Sequence, residues 1–229
     1  MSSPAAVIFD LDGVLIDSET VWNDARRALV EESGGSWRDD AQRAMMGMSS
    51  VEWSRYMRDQ LGVPMSAEAI SAQVAEGLER LYRQHLPLLP GAREAVVSLA
   101  SCWPLAIASS ANRSIIDLAL ELADLSDCFQ AAVSSEEVAH GKPAPDVYLE
   151  AARRISHEPG SCAAVEDSAN GLRAAAAAGM GVVAIPNRAF PPEQEALAEA
   201  DVVLGSITDL TPQVVESLAG SLEVARTEN

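Results

Sequence analysis

Short apolar runs alternate with helical patterns over most of the chain. The runs are rich in alanine, valine and isoleucine, and they cover residues 5–9, 105–108, 129–133, 163–165, 182–185 and 202–204. Between them, apolar residues recur every three or four positions over residues 92–99, 114–122, 145–155, 168–178 and 192–198. Because a strand that is covered on both faces is continuously apolar, this alternation predicts βα units and a mostly parallel sheet.

A long segment after the first run breaks the alternation. Between residues 16 and 87 there is no strand pattern, and Ser18 is a candidate N-cap for a helix with apolar positions at Val21, Ala25, Ala28 and Leu29. Further helices are expected over residues 51–61 and 66–84, and the proline-rich stretch 86–91 suits a hinge. We therefore expect an α/β protein with a Rossmann-like parallel-sheet core, residues 1–15 and 88–229, and a small inserted α-helical domain, residues 16–87.

The composition narrows the range of partners. Among 229 residues, 34 are acidic and 16 are lysine or arginine, which gives a formal net charge of −18. Such a charge repels phosphate backbones and anionic headgroups, so neither nucleic acid nor a membrane is an expected partner. The apolar runs are too short to cross a bilayer, and residues 1–4 lack the basic and apolar regions of a secretory signal.

The three cysteines favour a reducing compartment. Cys102, Cys128 and Cys162 are widely spaced and form no CxxC pattern, which is typical of reduced, buried thiols in a cytoplasmic protein. The sequence does not specify an oligomer, and a self-contained core with a helical insert is compatible with a monomer or a weak homodimer.

Two acidic pairs directly follow predicted strands. Asp10 and Asp12 come after the first strand, with Gly13 permitting a tight turn, and Glu166 and Asp167 come after the run 163–165. The carboxyl ends of parallel strands meet at one edge of a sheet, where ligands bind. Like charges held together there need a cation, and Mg²⁺ prefers oxygen ligands. A solvated acidic turn and a helix N-cap are the plainer interpretations of the two pairs.

The same edge gains a hydroxyl and a cation. Ser109 and Ser110 follow the second strand, where they can cap the helix near Asn112, bind a phosphate, or do both. Lys142 is the only lysine in the chain, and it lies in a loop stiffened by Pro143 and a second proline. A surface lysine is the alternative, but a single lysine in a rigid loop favours a fixed role.

The order of these motifs resembles the haloacid dehalogenase-like superfamily. The matching pattern spans nearly the whole chain and reads Asp10-x-Asp12-Gly13-x-Leu15, Ser109, Lys142-Pro143 and Glu166-Asp167-Ser168-x-x-Gly171. The resemblance implies that Asp10 attacks phosphorus to form an aspartyl-phosphate and that Asp12 is the general acid and base. It also implies that Ser109 contacts a phosphoryl oxygen and that Lys142 neutralises developing charge.

The resemblance further implies a metal, a cap and a substrate class. Asp10, the Asp12 carbonyl and Asp167 would hold Mg²⁺, with Glu166 as a ligand or a partner of one. The insert resembles the small helical cap of the superfamily, and residues 16–22 and 88–95 are similar to the 2-deoxyglucose-6-phosphate or hexitol phosphatase group. A Mg²⁺-dependent phosphatase acting on a small phosphorylated sugar or polyol is therefore expected. Candidate substrate-binding residues are Ser109, Ser110, Asn112, Lys142, Trp22 and Gly47, with Met46, Trp53 and Arg113 open between pocket and structural roles.

Three other interpretations stay open on sequence alone. β-Phosphoglucomutases share the fold and reuse the phospho-aspartate, but they carry a histidine near position 22 and basic residues near 46 and 50, where this chain has Trp22, Met46 and Ser50. A signalling receiver module uses similar groups around magnesium, but it is much shorter and has no such insert. A non-catalytic binding protein would not need the complete set of catalytic residue types.

Overall fold

The computed structural model describes residues 3–46, 48–188 and 190–218. Six strands are present: β1 (Ala6–Phe9), β2 (Leu105–Ser109), β3 (Ala131–Ser134), β4 (Cys162–Glu166), β5 (Gly181–Ala184) and β6 (Val202–Val203). They form one parallel sheet in the order β3-β2-β1-β4-β5-β6. The predicted Rossmann-like parallel sheet is confirmed, and all six predicted strands are present with ends displaced by at most two residues.

β1 lies at the point where the strand order reverses. The chain fills the sheet from β1 towards β3 on one side, and it returns to the other side of β1 with β4. In the register of the sheet, Phe9 pairs with both Ile107 and Val165. A crevice forms where connections leave a sheet in opposite directions, so the residues that follow Phe9 start at a natural ligand site.

Alternating strand residues divide the core into two layers. Val7 and Phe9 belong to one cluster, whereas Ala6 and Ile8 belong to the other, because successive side chains point to opposite faces. The first layer is covered by α5 (Ala92–Ala100), α6 (Arg113–Leu122) and α10 (Pro212–Ser217), and the second by α7 (Asp146–Arg154), α8 (Ala169–Ala177) and α9 (Gln194–Leu197). Helices therefore shield both faces of the sheet.

Four helices lie between β1 and α5: α1 (Glu19–Glu32), α2 (Ala41–Met45), α3 (Ser50–Leu61) and α4 (Ala67–Gln84). No strand is present over 16–46 and 48–87, the described part of this segment, and only α2 was not predicted. α3 begins with a capping box in which Ser49 and Glu52 satisfy each other's backbone N–H groups. The chain enters and leaves the insert side by side, because an antiparallel bridge joins Ile16 to Leu88.

The buried face of α1 differs from the predicted one. Trp22, Ala25, Arg26, Leu29 and Val30 are buried, while Val21 is half-buried and Ala28 is exposed. The sequence pattern missed this face because it includes a tryptophan and an arginine, and only Ala25 and Leu29 were among the predicted apolar positions. Ser18 does occupy the N-cap position, but its side chain makes no capping hydrogen bond.

Two neighbouring valines of α5 test the packing of the first layer. Val96 is fully buried, whereas Val97 is 51% exposed. Val96→Ala should lower the free energy of unfolding by about 2–3 kcal/mol, because it removes two buried methyl groups and leaves a cavity. Val97→Ala should change it by less than about 0.5 kcal/mol. Urea unfolding of both variants measures the difference, and equal losses would contradict the described packing.

Candidate active site

Two central strands and a loop bring three charged side chains together at the switch point. Asp10 follows β1, and its backbone N–H donates to the carbonyl of Val165 on β4 at 2.9 Å. Glu166 is the last residue of β4, and Lys142 comes from the loop between β3 and α7. The ammonium of Lys142 donates to Asp10 Oδ1 at 2.7 Å and to Glu166 Oε1. All three are at least 95% buried, so Lys142 is not a surface lysine.

Protein donors occupy both carboxylate oxygens of Glu166. Oε1 accepts from Lys142 and from the hydroxyl of Tyr148, the latter at 2.8 Å. Oε2 accepts from the backbone N–H groups of Asp167 and Ser168, at 3.0 and 3.2 Å, and from the Ser168 hydroxyl at 3.2 Å. Glu166 is therefore a fixed acceptor that holds the ammonium group of Lys142 beside Asp10.

The cluster carries more negative charge than Lys142 balances. Carboxylate oxygens of Asp10, Glu166 and Asp167 all lie within 4.8 Å of one another. Burial raises the pKa of Asp10 to about 8 against the opposing charge of Lys142, and Glu166 adds to the rise. Burial, followed by Glu166 and Asp10, also raises the pKa of Asp167 well above its usual range. Burial alone would lower the pKa of Lys142, but Asp10 and Glu166 outweigh it, so Lys142 stays charged.

The carboxylate oxygens of this cluster suit a hard divalent cation. Within the described ranges, no hydrogen-bond donor of the protein reaches the carboxylate of Asp167, and the clustered groups offer only oxygen atoms. An oxygen cluster with surplus negative charge is the type of site that Mg²⁺ occupies. Asp167 and Asp10 have lone pairs to offer, whereas those of Glu166 are already engaged.

Two glycines allow the backbone to approach the carboxylates. Gly13 has a φ of +77°, and a Cβ atom there would collide with the carboxylate of Asp167. A Cβ atom on Gly171, in the first turn of α8, would collide with the carboxylate of Glu166. Both positions of the motif therefore require glycine for steric reasons.

A cavity of about 570 Å³ opens above the cluster. One side comes from the sheet edge, and it includes Asp10, Asp12, Ser110, Lys142 and Asp167. The other comes from the inserted helices and the connection between α2 and α3. It includes Glu19, Trp22, Arg26, Arg43, Met45, Met46, Met48 and Trp53. The indole N–H of Trp22 donates to Asp12 Oδ1 at 2.9 Å, which joins the two sides directly.

The predicted substrate residues separate into two groups. Trp22, Ser110 and Lys142 line the cavity. Ser109 is fully buried behind it, and its hydroxyl accepts from the backbone N–H of Ala111 at 3.0 Å. Asn112 lies outside the cavity lining, and its amide donates to Ser71 on α4 and to Glu136.

The remaining candidates are resolved by their contacts. Met46 and Trp53 line the cavity. Trp53 is also one of the largest fully buried side chains, so it has a structural role as well as a place in the pocket wall. Arg113 pairs with Asp117 at 2.9 Å and serves a surface role. Gly47 lies outside the described residues. The three cysteines are free, but only Cys162 is buried, because Cys102 is exposed and Cys128 is half-buried.

Sequence reasoning missed several residues that line or support the site, among them Tyr148, Arg26 and Glu19. Tyr148 had no local signal, because only the packing of α7 brings it under Glu166. For Arg26 there was a local signal, because this charged residue lies four positions after Trp22 and therefore on the same helix face. Burial lowers the pKa of Arg26 to about 10. Glu19 also lines the cavity, and its pKa is raised first by burial and then by the negative charge of Asp12.

The fold and these motifs identify the family of hydrolases to which the chain belongs. The family model for haloacid dehalogenase-like hydrolases matches residues 4–179. The chain belongs to this family, as its motifs indicated.

The chain is also similar to named proteins over most of its length. It is 34% identical over 221 residues to hexitol phosphatase B of Escherichia coli, covering 92% of this chain and 97% of the relative. It is 33% identical over 213 residues to a probable pseudouridine-5'-phosphatase of Drosophila melanogaster, covering 90% and 91%. The crystal structure of CbbY from Rhodobacter sphaeroides in complex with phosphate matches with a TM-score of 0.82 and 25% identity, covering 93% and 99%. Among the described helices, none has the length and apolar character needed to cross a membrane.

Two helical glycines test the close approach to Glu166. Gly171→Ala should lower the free energy of unfolding by about 1–3 kcal/mol, because the new methyl group displaces the carboxylate that holds Lys142. Gly77, in the interior of α4, is the matched control, since a Cβ there makes only ordinary contacts, with Ala25 at 3.6 Å and with the guanidinium of Arg80 at 3.9 Å. Gly77→Ala should raise stability by about 0.5–1 kcal/mol through helix propensity. Urea unfolding compares the two, and a stabilising Gly171→Ala would contradict the geometry.

Proposed function

We propose that this hydrolase is a Mg²⁺-dependent phosphatase that acts on a small phosphorylated sugar or polyol. The observation that carries the proposal is the buried cluster in which Lys142 bridges Asp10 and Glu166 beside Asp167. A carboxylate nucleophile facing an anionic phosphate ester needs nearby positive charge, and this cluster is built around it. The hexitol and pseudouridine-phosphate phosphatases among its relatives support the same chemistry.

We assign the metal to Asp10, Asp167 and the backbone carbonyl of Asp12. Glu166 supports the site without being a ligand, because its two oxygens already accept from the protein. When bound, Mg²⁺ offsets the charge of the phosphate and of the carboxylates around it. Asp167 is the carboxylate of the cluster that is not paired with Lys142, which suits this role.

In the proposed reaction, Asp10 attacks phosphorus and the bond to the leaving oxygen breaks. Asp12 donates a proton to that oxygen, and the product alcohol departs. Asp10 then carries the phosphoryl group as an aspartyl-phosphate. Asp12 then accepts a proton from water, which attacks phosphorus, releases inorganic phosphate and restores Asp10. Lys142 stays protonated throughout and balances the negative charge that develops at the phosphoryl group. Ser109 holds the loop through Ala111, and Ser110 lines the cavity with a buried hydroxyl that has no hydrogen-bond partner among the described residues.

We infer that residues 16–87 form a cap over residues 1–15 and 88–229. Ser50 on α3 donates to Glu136 at 3.0 Å, and Asn112 bridges Glu136 and Ser71 on α4, so polar contacts link the insert to the core. Such caps exclude water during the reaction and contact the leaving group. The free cysteines fit a cytoplasmic enzyme, and the self-contained cavity allows a monomer or a weak homodimer.

The cavity favours hydrolysis over a mutase. The β-phosphoglucomutases carry basic residues near positions 46 and 50, whereas here Met46 lines the cavity and Ser50 donates to Glu136. The inserted helices and the family also argue against a receiver module.

Phosphate release with and without Mg²⁺ tests the proposal. The wild-type protein should release inorganic phosphate from hexitol phosphates with Mg²⁺, and excess chelator should abolish the release. Asp10→Asn should lower kcat by at least about 10³-fold, because the amide cannot act as the nucleophile. Asp24→Asn, an exposed change on α1, is the control that should retain the rate.

Other outcomes would count against the assignment. Release that survives Asp10→Asn would exclude Asp10 as the nucleophile. Conversion of one hexose phosphate into another without free phosphate would indicate a mutase. Binding of these esters with no turnover in either form would indicate a non-catalytic protein.

The hydrogen bond between Trp22 and Asp12 yields a second test. Trp22→Phe keeps an aromatic ring but removes the N–H that fixes the proposed general acid, so kcat should fall by about 3- to 30-fold. Trp103→Phe also loses one indole hydrogen bond, to the Pro4 carbonyl at 2.8 Å, but lies outside the cavity lining. It should leave kcat unchanged. Steady-state kinetics separate the two, and an equal effect would show that stability, not positioning, is responsible.

A further inference from the structure

Arg26 lines the cavity with a guanidinium group that is paired with no acceptor among the described residues. The residue is 6% exposed, and its Nε atom is buried without a hydrogen-bond partner. Over residues 3–46, 48–188 and 190–218, no carboxylate oxygen lies within 4 Å of its guanidinium, although Glu19 lines the same cavity. The negative charges of Asp12 and Glu19 act on Arg26 without contacting it. Its buried Nε–H group still lacks an acceptor among the described residues, which is costly, so a ligand that reaches this wall of the cavity would complete it.

Two indole rings hold the guanidinium in place. The Cζ atom of Arg26 lies 4.6 Å from the ring centroid of Trp22 and 5.0 Å from that of Trp53. The rings themselves meet edge to face, with centroids 5.9 Å apart. Stacking on aromatic faces fixes the plane of the guanidinium but uses none of its N–H donors. These donors are thus oriented in advance for a planar or tetrahedral anion.

The position of Arg26 relative to Asp12 sets the length of the ligand. Trp22 contacts Asp12, and Arg26 follows four residues later on the same helix. The indole of Trp22 lies between the two groups, with its N–H 2.9 Å from Asp12 and its ring centroid 4.6 Å from the Cζ atom of Arg26. A molecule whose leaving oxygen lies at Asp12 and whose far end reaches Arg26 therefore has the size of a short sugar or polyol chain.

We propose that Arg26 binds a second anionic group, at the end of the substrate distant from the phosphate that is removed. The inference rests on the proposed phosphatase function and narrows its substrate class to phosphorylated sugars or sugar acids that carry a carboxylate or a second phosphate. Hydroxyl groups alone could accept from the N–H donors, but an anion forms stronger, charge-assisted hydrogen bonds with a guanidinium group. Arg43 also lines the cavity and adds positive charge to it in a chain of net charge −18.

Matched substrates test the inference. The initial probes are a hexitol monophosphate, the corresponding hexonate monophosphate and a hexose bisphosphate, which differ in the group at the far end. The wild-type enzyme should show a kcat/KM at least about tenfold higher for one of the two doubly anionic probes than for the hexitol phosphate. The better of the two identifies the group as a carboxylate or a phosphate. Equal values for all three would overturn the inference while leaving the phosphatase function in place.

Two adjacent arginines supply the variant and its control. Arg26→Gln should lower the ratio of kcat/KM for the preferred anionic probe over the hexitol phosphate by about 10- to 100-fold, mainly through KM. Arg27 is exposed and pairs with Glu31 at 2.7 Å, so Arg27→Gln should keep the wild-type ratio. A ratio that is unchanged in Arg26→Gln would overturn the inference.

Thermal unfolding separates a binding role from a structural one. Because Arg26 is buried and no carboxylate among the described residues contacts it, Arg26→Met should raise the midpoint temperature of unfolding by about 2–4 °C. If Arg26 served only to hold the cap together, the same variant would unfold at a lower temperature, which would overturn the inference.

Calorimetry covers the case in which no probe is hydrolysed. That result would refute the proposed function on these esters, so binding is then measured directly with the hexonate monophosphate. Weaker binding to Arg26→Gln than to Arg27→Gln would support the anion site, and equal binding would overturn it.

Discussion

The buried contact of Lys142 with Asp10 and Glu166 is the interaction on which the site depends. It joins the end of β1, the end of β4 and the loop before α7, which are far apart in sequence. Without the ammonium group, three carboxylates would face one another in a place from which water is excluded. Breaking such a network leaves uncompensated buried charge, so the fold and the chemistry are stabilised by the same contact. Tyr148 and the N-terminus of α8 complete it by fixing Glu166.

The second organising feature is the contact between the inserted helices and the sheet edge. Trp22 on α1 reaches Asp12, and Glu136 accepts from both Ser50 and Asn112. The group assigned to proton transfer is therefore positioned by a residue of the insert. This hydrogen bond therefore links the position of the insert to that of Asp12. The antiparallel pairing of Ile16 with Leu88 keeps the entry and exit of the insert together.

Much of the fold could be predicted because its signals are local. A strand buried on both faces, such as β1, is recognised from its own residues, and parallel strands end at a common edge, which places Asp10 near Glu166. The solitary Lys142 was a compositional signal. Other features depend on packing. Which of Ser109 and Ser110 faces the cavity is set by the exact end of β2. Asn112 donates to Ser71 and Glu136, which the fold brings to it from distant parts of the sequence. The role of Arg26 needed the two indoles, which the sequence separates by 31 positions.

The burial of Lys142 also determines how the protein meets amine-directed chemistry. Lys142 is the only lysine among 229 residues, and it is 4% exposed. Acylating labels, aldehyde fixatives and coupling to activated beads all need an accessible unprotonated amine, and no ε-amine is available on the surface of the folded chain. Its positively charged surface groups are guanidinium groups instead, which such reagents leave largely untouched. An amine label that reaches position 142 would accordingly report that the molecule has unfolded.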